Sequence, residues 1–154
     1  MEKLDALNQV AALHKTFNAP ILDAPQIPSA DRAELRLKLL QEELDELKAA
    51  IENNDLVEVA DALCDLQYVL SGAVLEFGMG EKFVEMFDEV QRSNMSKACT
   101  TQEEADATIA FYANKGVEAY SEKSGDKFNV HRKADNKVLK SINYSPADLK
   151  KFLG

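Results

Sequence analysis

Six acidic residues on two adjacent predicted helices are the side chains best placed to do chemistry in this sequence. They are Glu42, Glu43 and Glu46 on one helix and Glu58, Asp61 and Asp65 on the next. Clustered carboxylates repel one another, and a divalent cation removes that repulsion. Mg²⁺ prefers carboxylate and water oxygens and keeps positions open for substrate phosphates. The pattern therefore predicts a magnesium site, which Mn²⁺ could also occupy, whereas a solvated acidic surface is the competing interpretation.

Helical geometry is expected to bring the two acid sets to one side of the helix pair. The connection around Asn53 and Asn54 is short, so the two helices should pack antiparallel. At about 100° per residue, both acid sets fall on flanks of the same sense, and such flanks meet in an antiparallel pair. Counting outward from Asn54 also matches the acids in height. We therefore expect a common groove lined by Glu43, Glu46, Asp61 and Asp65, with Glu58 peripheral or only a helix cap.

The elements that carry these acids follow from apolar periodicity, capping residues and breakers. Helices are predicted at about 3–17, 30–51, 55–77, 81–94 and 102–115, with Asp55 as the cap of the third and Thr101 as the cap of the fifth. The predicted packing seam of the second helix is Leu37, Leu40, Leu44, Leu47 and Ile51. That of the third is Val59, Leu63, Leu66, Leu70, Ala73 and Phe77. Residues 18–29, which hold three of the four prolines, should form an ordered loop.

The last third of the chain has a different pattern. Two β-prone runs, 117–123 and 127–133, flank a Ser-Gly-Asp turn and predict a β-hairpin. The segment KVLKSINYSP could add an extended strand before a short helical end. The sequence thus predicts a mainly α fold with a small C-terminal hairpin. We expect a helical core over 1–97 and a second segment over 98–154, packed as parts of one domain.

Composition excludes several classes of protein. The chain has 154 residues and a net charge of −9, which argues against nucleic-acid binding through a basic surface. No apolar run is long enough for a membrane span. Two cysteines make no disulfide framework, so a cytoplasmic location is expected. There is no GxxxxGK phosphate loop and no ExxH pair, which argues against P-loop NTPases and di-iron bundles.

The motifs resemble those of a known superfamily. The run LQEELDEL over 40–47, followed by DALCDLQYVLSGA over 61–73, is similar to the all-α nucleoside triphosphate pyrophosphohydrolases, which include the MazG-like and phosphoribosyl-ATP pyrophosphohydrolase enzymes. Their signature is EExxE on one helix and ExxD on the next. RSNMSK at 92–97 and DNKVLKSINYSP near the end also resemble substrate-side motifs of a phosphoribosyl-ATP pyrophosphohydrolase-like subgroup. One departure is Ala62, which stands where the family register expects glutamate.

The resemblance implies an activity and roles for residues. Members use Mg²⁺ to cut a nucleoside triphosphate between the α and β phosphates, and they are typically homodimers or larger homo-oligomers. By this resemblance, Glu43, Glu46, Asp61 and Asp65 would hold metal, and Glu42 or Glu46 would activate water. Nucleotide binding would fall to His14, Arg92, Asn94, Lys97, Lys137, Lys140 and Tyr144, with Tyr144 either stacking on the base or packing internally.

Two non-catalytic functions are also compatible with the sequence. The chain could be a helical dimerisation module, because its third helix is apolar enough to meet a second subunit. It could also be a paralogue that binds nucleotides without turnover. Dimerisation does not separate these readings from an enzyme, whereas dependence on Mg²⁺ does.

Overall fold

A computed structural model describes residues 4–154, so residue 3, where the first helix is predicted to begin, lies outside the described residues. The helices are α1 (Ala6–Thr16), α2 (Ala30–Glu52), α3 (Leu56–Glu76), α4 (Phe83–Met95), α5 (Gln102–Ala113) and α6 (Lys150–Leu153). The strands are β1 (Ala119–Ser124) and β2 (Lys127–Arg132). The predicted mainly helical fold with a C-terminal hairpin is confirmed. The described residues up to Phe83 form one compact unit and Val84–Leu153 a second, a division that falls earlier than the boundary suggested by the sequence.

The first unit is built on the antiparallel pair of α2 and α3, with α1 packed against α3. Asp55 caps α3 as predicted, because its carboxylate accepts hydrogen bonds from the backbone N–H of Val57 at 3.1 Å and of Glu58 at 3.2 Å. Asn54 takes a φ of 53°, which lets the chain reverse between the helices.

The predicted packing seams are wrong in part. Five apolar residues assigned to the seams lie between 43% and 70% exposed: Leu37, Leu44, Ile51, Leu63 and Leu70. Leu56, at the start of α3, is 80% exposed. We call these six residues the leucine stripe. The observed seam keeps the predicted Leu40 and Leu47 of α2 and Val59, Leu66 and Ala73 of α3. It adds smaller or polar residues, namely Arg36, Glu43 and Ala50 on α2 and Ala62, Val69 and Glu76 on α3.

The exposure of the leucine stripe changes the expected environment of α3. Outside the seam, Val57 is 76% exposed and Cys64 is also exposed. Asp61 and Asp65 are exposed as well. Within a single chain, therefore, these two aspartates do not need a metal ion to offset a cost of burial.

The proline-rich segment 18–29 lies along the end of α3. The backbone N–H of Leu22 donates to the carbonyl oxygen of Leu75, and that of Gln26 donates to Phe77, each at 3.1 Å. Gly78 follows α3 with a φ of +69°, and a Cβ atom there would lie 1.9 Å from the carbonyl oxygen of Ala24. Glycine is thus required at this position by both its backbone conformation and the closeness of the loop.

The second unit has its own small core. Cys99, Ala105, Val130 and Leu139 are buried together, with Phe128 and other apolar residues packed against them. Helix α5 begins at the predicted cap, where the hydroxyl of Thr101 accepts from the N–H of Glu104, and packs on both strands. Strands β1 and β2 pair antiparallel across the predicted turn.

The segment after the hairpin is not the strand that the sequence suggested. It makes only an isolated bridge between His131 and Val138, since Leu139 then turns into the core of the second unit. The predicted short helical end is α6. No helix in the part of the chain that the structure describes has the length and apolar character to cross a membrane, and the cytoplasmic location stays a prediction.

Replacing Gly78 with alanine should lower the free energy of unfolding by more than about 2 kcal/mol, because the new Cβ would collide with backbone rather than with a movable side chain. Gly116→Ala is the matched control: Gly116 has a φ of +74° but nothing within 4 Å of its ideal Cβ. That variant should show only the backbone cost of about 1 kcal/mol. Urea unfolding of both variants measures the difference, and equal losses would contradict the close approach of Ala24.

Candidate functional site

The two acid sets come together along one flank of the α2–α3 pair. Glu43 lies on the seam itself, and Glu46, one turn further along α2, lies beside it. On α3, Asp61 and Asp65 are close enough that their charges, together with those of Glu46 and Glu42, act on Glu43. The sequence expected these carboxylates on a common side, and the structure places them there. We call Glu43, Glu46, Asp61 and Asp65 the acid groove.

Glu43 is the member of the acid groove whose charge is least well accommodated. Burial raises the pKa of its carboxyl group, and the negative charges of Glu46 and Asp65 raise it further. One of its carboxylate oxygens, Oε2, is buried and has no hydrogen-bond partner. Buried polar atoms in folded proteins nearly always have a partner, so this oxygen is available to a ligand that carries positive charge.

The acid groove fits a hard divalent cation in chemistry but is not closed around one. Its donors are all carboxylate oxygens, the type that Mg²⁺ prefers. Among the described residues, however, no three acidic, histidine or cysteine side chains converge closely enough to form a ready-made metal cage. Glu42 is exposed on the same flank of α2 as Glu46, and Glu58 is exposed near the cap of α3. A cation here would be held by side chains that draw together around it, with water completing its coordination.

A second charged group on the seam is buried, and its carboxylate is paired with two arginines. The carboxylate of Glu76, 0% exposed, accepts from Arg32 Nε at 2.9 Å and also from Arg36 Nη2. Burial alone raises the pKa of Glu76, but the hydrogen bonds from the two arginines outweigh it, so the pKa lies below its ordinary value. Gly72 leaves the room for Arg36, because a Cβ on it would lie 2.7 Å from Arg36 Nη1.

The structure places His14 in this buried group and not in the acid groove. His14 is 2% exposed. Its Nε2 lies 3.3 Å from Arg36 Nη2 and its Nδ1 lies 2.9 Å from the carbonyl oxygen of Pro20. Since arginine can only donate, Nε2 accepts and Nδ1 carries the proton. Both ring nitrogens are engaged, so the contacts favour a packing role for His14, and its role in nucleotide binding stays a prediction.

Several predicted nucleotide-binding residues meet in the second unit around Tyr144. Lys140 Nζ lies 4.2 Å from the centre of the tyrosine ring. Lys97 Nζ donates to the side-chain oxygen of Asn94 at 2.8 Å. The hydroxyl of Ser93 donates to the Tyr144 hydroxyl at 3.1 Å. We call Ser93, Asn94, Lys97, Lys140 and Tyr144 the tyrosine cluster.

Two other predicted nucleotide-binding cations already have acidic partners. Arg92 pairs with Glu89 at 2.8 Å and also donates to the carbonyl oxygen of Pro146 at 3.0 Å. Lys137 lies beside Asp135, and its positive charge is one reason that the pKa of Asp135 is lowered to about 2, although the main cause is a hydrogen bond from Arg132. The pairing with Glu89 makes Arg92 less available for a phosphate than Lys97 and Lys140.

Sequence reasoning missed the buried polar groups. Arg32, Arg36 and Glu76 were not singled out, although Glu76 stands alone as a charge in the apolar end of α3 and Arg36 lies seven residues before Glu43 on the same face. Ser93 was seen only as part of a motif. Glu89 was missed as well; Arg92, the backbone N–H of Asp148 and Lys151 surround it and hold its pKa well below the ordinary range.

The opposed acidic residues of the helix pair are typical of hydrolases that act on phosphates through a metal ion. The lysines around Tyr144 supply positive charge that suits a phosphate group. The family model of phosphoribosyl-ATP pyrophosphohydrolase matches residues 10–94, more than half of the chain. The chain therefore belongs to this family, and the resemblance seen in the sequence is confirmed. Membership makes it a pyrophosphohydrolase of nucleotide-like substrates. A search of curated proteins finds no match.

Glu76→Gln should lower the free energy of unfolding by about 3 kcal/mol at neutral pH, because two arginines lose a buried countercharge. The folded-state pKa of Glu76 is depressed, so its contribution is complete above the ordinary glutamate pKa and is lost as the pH falls through the folded value. The gap between variant and wild type should therefore narrow in acid. Urea unfolding against pH tests this, with exposed Glu81→Gln as control; equal stability at neutral pH would contradict it.

Proposed function

We propose that this protein hydrolyses a nucleoside triphosphate, or a related nucleotide such as phosphoribosyl-ATP, between its α and β phosphates in the presence of Mg²⁺. The products would be the monophosphate and pyrophosphate. The observation that carries the proposal is the unpartnered oxygen of Glu43 among four neighbouring carboxylates. Family membership supports the class of reaction.

The acid groove is the proposed metal site, with Glu43, Glu46, Asp61 and Asp65 as ligands and Glu58 as a peripheral member. Mn²⁺ could replace Mg²⁺ because both accept carboxylate oxygens. When bound, the cation supplies charge neutralisation for the phosphates and a polarised water. The role of Glu43 is to present its buried oxygen from the seam, where the packing of α2 on α3 fixes its position.

Proton transfer is assigned to an exposed glutamate of α2. Glu42 and Glu46 both lie on the solvent side of Glu43 and are free to accept a proton from an attacking water. Glu42 makes only a long surface contact, 3.9 Å from Lys38 Nζ, which leaves its carboxylate mobile. Within the second unit, the resemblance assigns phosphate binding to Lys97 and Lys140 and sugar or phosphate binding to Asn94.

Asp65→Asn should reduce metal-dependent pyrophosphate release by at least about 100-fold, since a metal contributes several kcal/mol to such reactions. Asp45→Asn is the matched control: Asp45 is an exposed aspartate of α2 that accepts from Gln41, and it should keep activity. A panel of NTPs, dNTPs and phosphoribosyl-ATP assayed with Mg²⁺ and Mn²⁺ identifies the substrate. In the same series, Glu43→Gln should raise the melting temperature without metal and abolish the stabilisation produced by Mg²⁺.

The panel also separates the alternatives. If no metal changes the melting temperature and Asp65→Asn alters nothing but stability, the protein is a helical interaction module. If a nucleotide binds and no pyrophosphate appears, it is a binding paralogue. Either result would overturn the proposed hydrolysis.

We further propose that the leucine stripe is covered by a second copy of the chain in a homodimer or homotetramer. Its members recur every seven residues on both helices, at 37, 44 and 51 on α2 and at 56, 63 and 70 on α3. This is the spacing by which helices interlock with other helices. The stripe lies on the flank of the helix pair opposite to the acid groove, so a second copy could cover it and leave the acids accessible.

Leu44→Lys should convert the assembly to monomers, because it places a charge at the middle of the α2 part of the stripe. Leu153→Lys is the control, since Leu153 is 44% exposed in α6 and outside the stripe. Light scattering after size-exclusion chromatography gives the mass of each variant. A wild-type monomer, or a Leu44→Lys variant with unchanged mass, would refute the assembly.

A further inference from the structure

The hydroxyl of Tyr144 is the centre of the tyrosine cluster. Lys140 covers one face of its ring at 4.2 Å, so that face is closed to stacking by a base. The positive charges of Lys140 and Lys97 both act on the tyrosine hydroxyl, and that of Arg92 is also felt there. These contacts favour a binding role for the tyrosine hydroxyl over one for the ring.

The hydrogen bond from Ser93 sets the role of the Tyr144 hydroxyl in further hydrogen bonds. Ser93 is 4% exposed, and its Oγ lies 3.1 Å from the Tyr144 oxygen as the donor of the hydrogen bond. A tyrosine oxygen that accepts from one hydroxyl keeps its own proton for another partner. With two lysines beside it, the partner that fits is an oxyanion. The same serine bond lowers the pKa of Tyr144, which makes its O–H a stronger donor.

We propose that Tyr144 binds a phosphate oxygen through its hydroxyl, together with Lys97 and Lys140, and that Ser93 is the positioning residue that orients this hydroxyl. The ligand class, a phosphate or pyrophosphate group, rests on the proposed function. Base stacking by Tyr144 is replaced in this assignment by anion binding.

Ser96 offers a contrast within the same helix. Its hydroxyl donates to the carbonyl oxygen of Ser93 at 2.7 Å and accepts from the backbone N–H of Ser145 at 3.0 Å. Ser96 thus holds the segment that carries Tyr144 but does not bond to its hydroxyl. A purely structural role for Ser93 would make the two serines equivalent, whereas an orienting role would not.

The test uses the full chain and inorganic pyrophosphate, with EDTA to remove divalent metals. Calorimetric titration gives the dissociation constant, and ultraviolet difference titration gives the pKa of Tyr144, assigned by its loss in Tyr144→Phe. We expect Tyr144→Phe to weaken pyrophosphate binding about tenfold and Ser93→Ala about threefold. Ser93→Ala should also raise the pKa of Tyr144. Ser96→Ala should leave that pKa unchanged.

Three results would overturn the inference. They are absence of pyrophosphate binding by the wild type, binding that Tyr144→Phe does not weaken, and equal effects of Ser93→Ala and Ser96→Ala on the tyrosine titration. None of these measurements needs turnover, so they stand apart from the hydrolysis assay. If pyrophosphate binds as expected while no nucleotide is hydrolysed, the proposed function fails and the oxyanion site stands.

Discussion

The seam between α2 and α3 carries charge at two levels along the helices. The charges are paired with countercharges at one level and lack them at the other. Near the loop 18–29, Arg32 and Arg36 surround Glu76, so a buried carboxylate has two countercharges. Two helical turns along α2 from Arg36, Glu43 meets only other acids. A helix pair cannot gain stability from the second arrangement in the absence of a cation. The compensated level therefore fixes the helices, and the uncompensated level is the proposed metal site.

This division explains why the acid groove can exist without disrupting the fold. The carboxylates of Glu46, Asp61 and Asp65 face solvent, where water screens their repulsion, and only Glu43 is held on the seam. Rigid support at one end, in which Gly72 admits the Arg36 side chain and Gly78 admits the proline-rich loop, sets the spacing of the helices at the other. Binding a cation would then require side-chain movements alone, a small cost beside the repulsion that it relieves.

The sequence was sufficient for the elements whose signals are local. The cap at Asp55, the cap at Thr101 and the hairpin turn at Gly125 each depend on neighbours within four residues, and each is observed. Arg36 contacts both Glu76 and His14, and Ser93 contacts Tyr144; these contacts join residues far apart in the chain, so no local pattern reveals them. Long-range polar pairing is specified by tertiary packing and not by periodicity.

The common side of the acids was predicted although both seams were misassigned, and the geometry shows why. Choosing the leucines displaced the seam of α2 by about 60° and that of α3 by about 45°, in the same rotational sense. Rotations of similar size and the same sense in an antiparallel pair keep the two acidic flanks on the same side. The acids therefore still meet, but they lie closer to the seam than expected. That shift is what buries Glu43 and leaves its Oε2 without a partner. The leucine stripe stays exposed in a single chain, and the proposed contact with a second copy would cover it, because hydrophobic periodicity records burial in an assembly as readily as burial in a monomer.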